Sequence, residues 1–243
     1  MKNKFNKTPL ALVSASLLTL LGSIASPAFA GMEDDPILTK LMLDKFEVGF
    51  AKGPNPITWE GGLWIGKDLN KLWFKTEGER VSGEIEGSEN QLLFSHAIST
   101  FWDLQAGWRH DTVPGTSRDY AQIGIQGLAP YFVETDANLS FGKSNQVKLN
   151  FNFEYEMMLT QKLVLSPEFG FNVYAKDDKA MGVGSGLSDA SAGLRLRYEI
   201  KREFAPYIGV NWSKKFGKTA DFITDEGGDS SETMFVAGVR IWY

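Results

Sequence analysis

The 243-residue chain has no cysteine and only two histidines. The first absence excludes a disulfide framework and any thiolate metal site. The second leaves His96 and His110 isolated, without a partner at the i,i+2 or i,i+4 spacing that builds a metal cluster. Long apolar runs are also missing. Beyond residue 30 no segment has the roughly 20 apolar residues that a spanning helix requires. Positive charge is in deficit too: the formal net charge is −5, which argues against nucleic acid as a partner. Enzyme signatures are lacking as well. There is no G-x-S-x-G and no paired-acid motif, and the adjacent His110 and Asp111 would point to opposite faces of a strand.

The first thirty residues read as an export signal. Lys2, Lys4 and Lys7 precede a mostly apolar run from Leu10 to Ile24, and "PAFA" offers an Ala28-Phe29-Ala30 cleavage site. Cleavage after Ala30 removes three lysines and no acid, so the charge of −5 becomes −8. Residues 31–44 then form a short periplasmic segment, and residues 45–243 a single domain.

Strand periodicity fills that domain. In "FWDLQAGWRHD", Trp102, Leu104, Ala106 and Trp108 oppose Asp103, Gln105, Gly107 and Arg109. In "VKLNFNFEYE", Val147, Leu149, Phe151, Phe153 and Tyr155 oppose Lys148, Asn150, Asn152, Glu154 and Glu156. The same alternation runs through "YFVETDANLSF", "ASAGLRLRYEI" and the last ten residues, "MFVAGVRIWY". About twelve such segments, with 57–66 and 90–98 ambiguous, predict an all-β antiparallel transmembrane barrel with a lipid-facing apolar side and a polar lumen. Arg109, Glu134, Asp136, Lys148, Glu154, Glu156, Arg195, Arg197 and Glu199 fall on the lumen side. A terminal strand that keeps its pattern to Tyr243 is explained if it must pair with the first strand. Trp59, Trp102, Tyr131, Tyr207, Trp212, Trp242 and Tyr243, near strand ends, suit interfacial girdles.

The connections support the membrane reading. With a first strand from Lys45 to Ala51, they alternate between tight turns and a second set that holds every long one. The tight set is "GKDLN", "AIST", "LAPY", "MLTQ" and "IKREF". The long ones are 78–90, 111–119, 176–189 and 216–232, with the shorter "KGPNP" and "GKSNQ" between. Short periplasmic turns and longer extracellular loops are the outer-membrane arrangement, so both termini are expected in the periplasm.

Several stretches together resemble the copper resistance protein B family of Gram-negative outer-membrane proteins. They are "DLNKLWFKTEGE" (68–79), "FWDLQAGWRHD" (101–111), "GIQGLAPYFVETDANLSFG" (124–142), "YEMMLTQKLVL" (155–165), "YAKDDKAMGVGSGLSD" (174–189), "GLRLRYEIKREFAPYIGV" (193–210), "KKFGKTAD" (214–221) and "FVAGVRIWY" (235–243). The resemblance implies an outer-membrane barrel that binds copper and contributes to copper homeostasis and resistance. It implies as partners copper ions, outer-membrane lipid, the barrel assembly machinery reading the C-terminal strand, and periplasmic copper-handling proteins. Family members commonly carry a Met- and His-rich segment ahead of the barrel. Here Gly31 to Phe46 holds Met32 and Met42 and no His, so copper is implied without assigned ligands.

Other metal-capable residues are scattered. Met157 and Met158 fall at a turn and Met181 in a long loop; isolated methionines usually pack. Asp177, Asp178, Ser185, Ser188 and Asp189 make one loop oxygen-rich, but without EF-hand spacing, so the favoured reading is an ordered surface loop held by Asx turns. Two other functions fit the strands alone: a small-solute porin without copper specificity, and a soluble secreted β-protein.

Overall fold

The computed structural model describes residues 35–50 and 53–243. The expected export signal, its expected cleavage site and Met32 lie outside the described residues. Twelve antiparallel strands follow one another around a closed sheet: β1 (Leu38–Phe50), β2 (Ile57–Gly66), β3 (Asn70–Val81), β4 (Glu84–Ser99), β5 (Trp102–Val113), β6 (Thr116–Ala129), β7 (Val133–Gly142), β8 (Val147–Glu154), β9 (Leu163–Tyr174), β10 (Gly186–Tyr198), β11 (Phe204–Lys215) and β12 (Ser231–Trp242). β8 continues past Tyr155 and Glu156 into Met157–Met158. Both pieces pair with β9 in one register, Glu154 opposite Glu168 and Met158 opposite Val164.

The seam is the pairing of β12 with β1, from Phe50 opposite Phe235 to Met42 opposite Trp242. Leu41 and Tyr243 exchange both backbone hydrogen bonds at 2.8 Å. The terminal residue is thus held within the ladder, and the sheet has no free edge.

The distribution of side chains is inverted relative to a water-soluble protein. Leu63, Phe74, Phe94, Ile123, Ile208 and Phe235 on the outer face are each more than two-fifths exposed. Inside, Arg109, Ser140 and Gln105 are almost wholly buried, as are Lys148 and Arg195. Among the described residues no helix is long and apolar enough to cross a membrane; the apolar band belongs to strands.

β1 opens at Leu38, not at Lys45. The register shifts between Leu43 and Lys45, so a bulge at Asp44 interrupts the alternation. Leu41 faces outward before the bulge and Phe46 after it, an odd and an even position, which hides the strand from a period-two reading.

The five connections expected to be tight lie at one end, together with the start of β1 and the end of β12: residues 67–69, 100–101, 130–132, 159–162 and 199–203. At the other end the expected long loops 78–90 and 111–119 are not loops. β3 and β4 are joined by Ser82 and Gly83 alone, and β5 and β6 by Pro114 and Gly115. These hairpins remain paired to their tips, Val81 with Glu84 and Val113 with Thr116. Their periodicity fades because a segment with charges and glycines on both faces carries no apolar signal, although the backbone ladder persists. Two long connections remain at this end, 175–185 and 216–230, and the second contains helix α1 (Gly217–Asp225).

Candidate functional site

The lumen is where chemistry concentrates. Alternation sends every second side chain of each strand inward, and all nine charged residues expected there lie on the inward side. The bulge in β1 adds a local exception: Asp44 and Lys45, adjacent in sequence, both reach lumen partners.

Three ion-pair networks cross the lumen. In the first, Arg109 donates to Asp111 at 2.7 Å and pairs with Glu89, while Lys148 reaches Asp111 at 3.4 Å and Glu89 at 3.6 Å. This ties β8 to β4 and β5. In the second, Arg195 of β10 forms a two-pronged pair with Glu47 of β1, at 3.0 and 2.8 Å, and also meets Glu168. The Tyr207 hydroxyl donates to Glu47 at 3.0 Å. Lys45 bridges Glu60 at 2.8 Å and Glu168 at 2.9 Å. In the third, Glu156 accepts from Arg197 and Arg240, each at 2.6 Å, and Arg240 also meets Asp44 at 3.2 Å. A separate strap runs from Lys75 of β3 to Asp136 of β7 at 2.8 Å, with Gln105 at 3.1 Å. Such pairs offset the cost of placing charge inside only because the partners are close and multiply bonded.

Between these networks lies a cavity of about 690 Å³. Eight carboxylates and six cationic side chains line it. Glu134, Glu154 and Glu168 stand side by side on β7, β8 and β9 in direct register. Among the described residues Glu134 and Glu154 have no ion-pair partner, so this stretch of wall presents two carboxyl groups to the cavity without a paired cation. Beside it an amide ladder runs from Asn150 to Asn172 at 2.9 Å and on to Asp189 at 2.8 Å.

The remaining candidates are placed as follows. Both histidines face outward, not into the lumen. His110 sits beside Asp119 at 2.8 Å and stacks on Trp108; His96 meets Asn70 at 2.8 Å. Met42 lines the cavity as a single thioether. Met158 is well exposed, and Met157 pairs opposite Leu165 on the outer face. Tyr207, expected in an interfacial girdle, is instead buried in the lumen by its bond to Glu47.

In the oxygen-rich loop the carboxylates are committed to the protein itself. Asp177 accepts from the Ser185 amide at 2.7 Å and pairs with Lys218. That ammonium, with the Ser185 bonds, holds the Asp177 carboxyl down at about 2. Asp178 receives Arg118 at 2.8 and 3.1 Å, together with Gln146. Burial alone would raise its carboxyl, but the Arg118 guanidinium outweighs that and holds it below the usual range. Among the described residues no three acidic or histidine side chains converge as a metal-holding group.

Asp44, Lys45, Glu47, Glu60, Lys75 and Glu168 were not singled out by sequence. Glu60, Lys75 and Glu168 sit on the inward parity of their strands, so a face assignment for β2, β3 and β9 would have found them. Asp44, Lys45 and Glu47 were hidden by the bulge.

A closed twelve-stranded barrel, apolar outside and charged within, is the architecture of bacterial outer-membrane proteins. Among solved structures the NanC porin superposes with a TM-score of 0.55 and the KdgM porin with 0.51. Each is 10% identical, the match covering 83% of this chain and 98% of the porin; at that identity the likeness is one of fold. The chain belongs to the copper resistance protein B family, whose profile, described as Copper resistance protein B precursor (CopB), matches residues 37–243. It is 42% identical over 212 residues to Copper resistance protein B of Escherichia coli. It is 38% identical over 212 residues to the Copper resistance protein B homolog of Pseudomonas syringae pv. tomato (strain ATCC BAA-871 / DC3000). Each match covers 87% of this chain and 72% of the relative.

Proposed function

We propose that this protein is an exported outer-membrane barrel that binds copper and contributes to copper homeostasis and resistance, without catalysing a reaction. Family membership over residues 37–243 carries the reading. The donor set limits its form. With both histidines outside and Met42 the one methionine on the cavity wall among the described residues, the cavity offers chiefly carboxylate and amide oxygens, which suit a divalent copper ion better than a monovalent one. Glu77, Glu134 and Glu154 are the cavity carboxylates without an ion-pair partner among the described residues, with Glu168 adjacent to Glu154 in register. Copper is cargo or ligand here, held by a few carboxylates and not in a fixed cage.

The signal in residues 1–30, periplasmic termini and contact with the barrel assembly machinery through β12 belong to the same proposal. Support for the orientation comes from the two long connections sharing one end while the start of β1 and the end of β12 share the other. Protease added to intact cells should cut within 222–232 before 200–204; equal cutting would reverse or dismantle this topology.

The test of function is growth on graded copper. A deletion strain should become copper-sensitive, and the wild-type gene should restore growth. A strain with unaltered copper tolerance but impaired uptake of small solutes would favour the porin reading, which rests on the barrel fold shared with the NanC and KdgM porins.

A further inference from the structure

The two long connections do not hang free over their end of the barrel. Residues 175–185 leave β9, yet their anchor is Arg118 on β6, bonded to Asp178 at 2.8 and 3.1 Å. β7 and β8 lie between, a displacement of about 14 Å along the wall at ordinary strand spacing. The connection therefore leans across its neighbours. On the way Lys176 donates to the Ser144 carbonyl at 3.4 Å, and Gln146 donates to Asp178. Arg118 is in register with Asp111, which faces the lumen, so the joint closes over the lumen side of the rim.

A second joint ties the same connection to α1. Thr219, 2% exposed, shares a hydrogen bond with Ser188 at 3.0 Å and accepts from the Gly184 amide at 2.8 Å. Lys218 pairs with Asp177. The packing is close enough that a Cβ on Gly184 would lie 2.5 Å from the Lys218 Cβ and 2.8 Å from the Thr219 nitrogen. At the other edge Gly186, with φ of +90°, turns the chain back into β10 in a conformation that side-chain-bearing residues resist.

We infer that residues 175–186 and α1 form one hinged cap over this mouth of the barrel, latched at Arg118–Asp178 and at Thr219–Ser188, and that the latch controls access to the lumen. The cap covers the arc from β6 to β12. Directly beneath it lies the Arg109–Asp111–Lys148 network, so solutes entering from this end meet the cap first and the charged lattice second. Its polar joints, unlike an apolar seal, are of the kind that breaks and reforms with the hinge.

The absence of cysteine provides the test. Ser140, fully buried on the lumen side of β7, is replaced by cysteine as a reporter beneath the cap. Reaction of the purified barrel in detergent with a small charged maleimide is timed against Asp229→Cys, an exposed loop position. With the native cap the reporter should react far more slowly than the reference. Adding Asp178→Ala should speed it about tenfold, the shift given by losing roughly 1.4 kcal/mol of latch. Gly184→Ala, which wedges the second joint, should act in the same direction. Heat-modifiability on gels confirms that each barrel is folded. Unchanged reporter rates in both folded variants, or a native-cap reporter as reactive as the reference, would overturn the cap.

Discussion

Arg195 is bonded to Glu47 and Glu168 at once, so its removal leaves two carboxylates inside the barrel with fewer partners. Breaking a buried pair by removing one member costs about 3–5 kcal/mol, most of it the penalty of the stranded charge. Arg195→Ala should therefore lower the urea midpoint of the barrel in detergent. The double variant Arg195→Met with Glu47→Gln should recover much of the loss, because the stranded charge at Glu47 is gone. If Arg195→Ala unfolds at the wild-type midpoint, the network is ornamental to stability. At this scale the sequence was half legible. The face on which Arg195 sits follows from the Leu194, Leu196 and Tyr198 alternation. Its partner Glu47, 148 residues away, does not, since any inward acid at the same height would satisfy the same charge.

Within a strand, parity decides what a substitution meets. Leu196 lies on the outer face of β10, and Ser191 borders the cavity on the inner face. An arginine on the lipid side costs up to about 2–4 kcal/mol, less the nearer it lies to an interface, whereas one in a polar lumen finds water and carboxylates. Leu196→Arg should reduce the amount of heat-modifiable barrel in membranes, and Ser191→Arg should leave it near wild type. Equal loss in both would show the faces to be misassigned. Most strands were legible because one side in lipid and the other in a charged lumen gives the strongest possible alternation. The tips of β3 to β6 and the start of β1 were not. The tips carry charge or glycine on both faces with only scattered apolar residues such as Val81, Ile85 and Val113, and the Asp44 bulge shifts β1 by one position, which exchanges its faces in a period-two reading.

The whole molecule sets what can pass. Twelve strands make a bore wider than that of an eight-stranded barrel and narrower than that of the 16–18-stranded porins. Long side chains then fill much of it. Lys75 spans from β3 to Asp136 on β7, Lys45 from β1 to Glu168 on β9, and Arg240 from β12 to Glu156 beyond β8. Each crossing divides the cross-section, and the about 690 Å³ cavity is the space left between them. Acids outnumber bases on its wall, with Glu134 and Glu154 unpaired among the described residues, so ions that do enter should be cations. Wild-type protein in planar bilayers should give small, cation-preferring conductance. Lys75→Ala should raise it, because it removes a crossing while leaving both wall strands paired to their neighbours. This outcome is separable from release of the cap: Lys75 lies within the barrel and touches neither latch, so its effect should persist in an Asp178→Ala background. Large, steady and weakly selective wild-type currents, or no change in Lys75→Ala, would mean that the ion pairs leave an open channel beside them and that the lumen does not restrict passage.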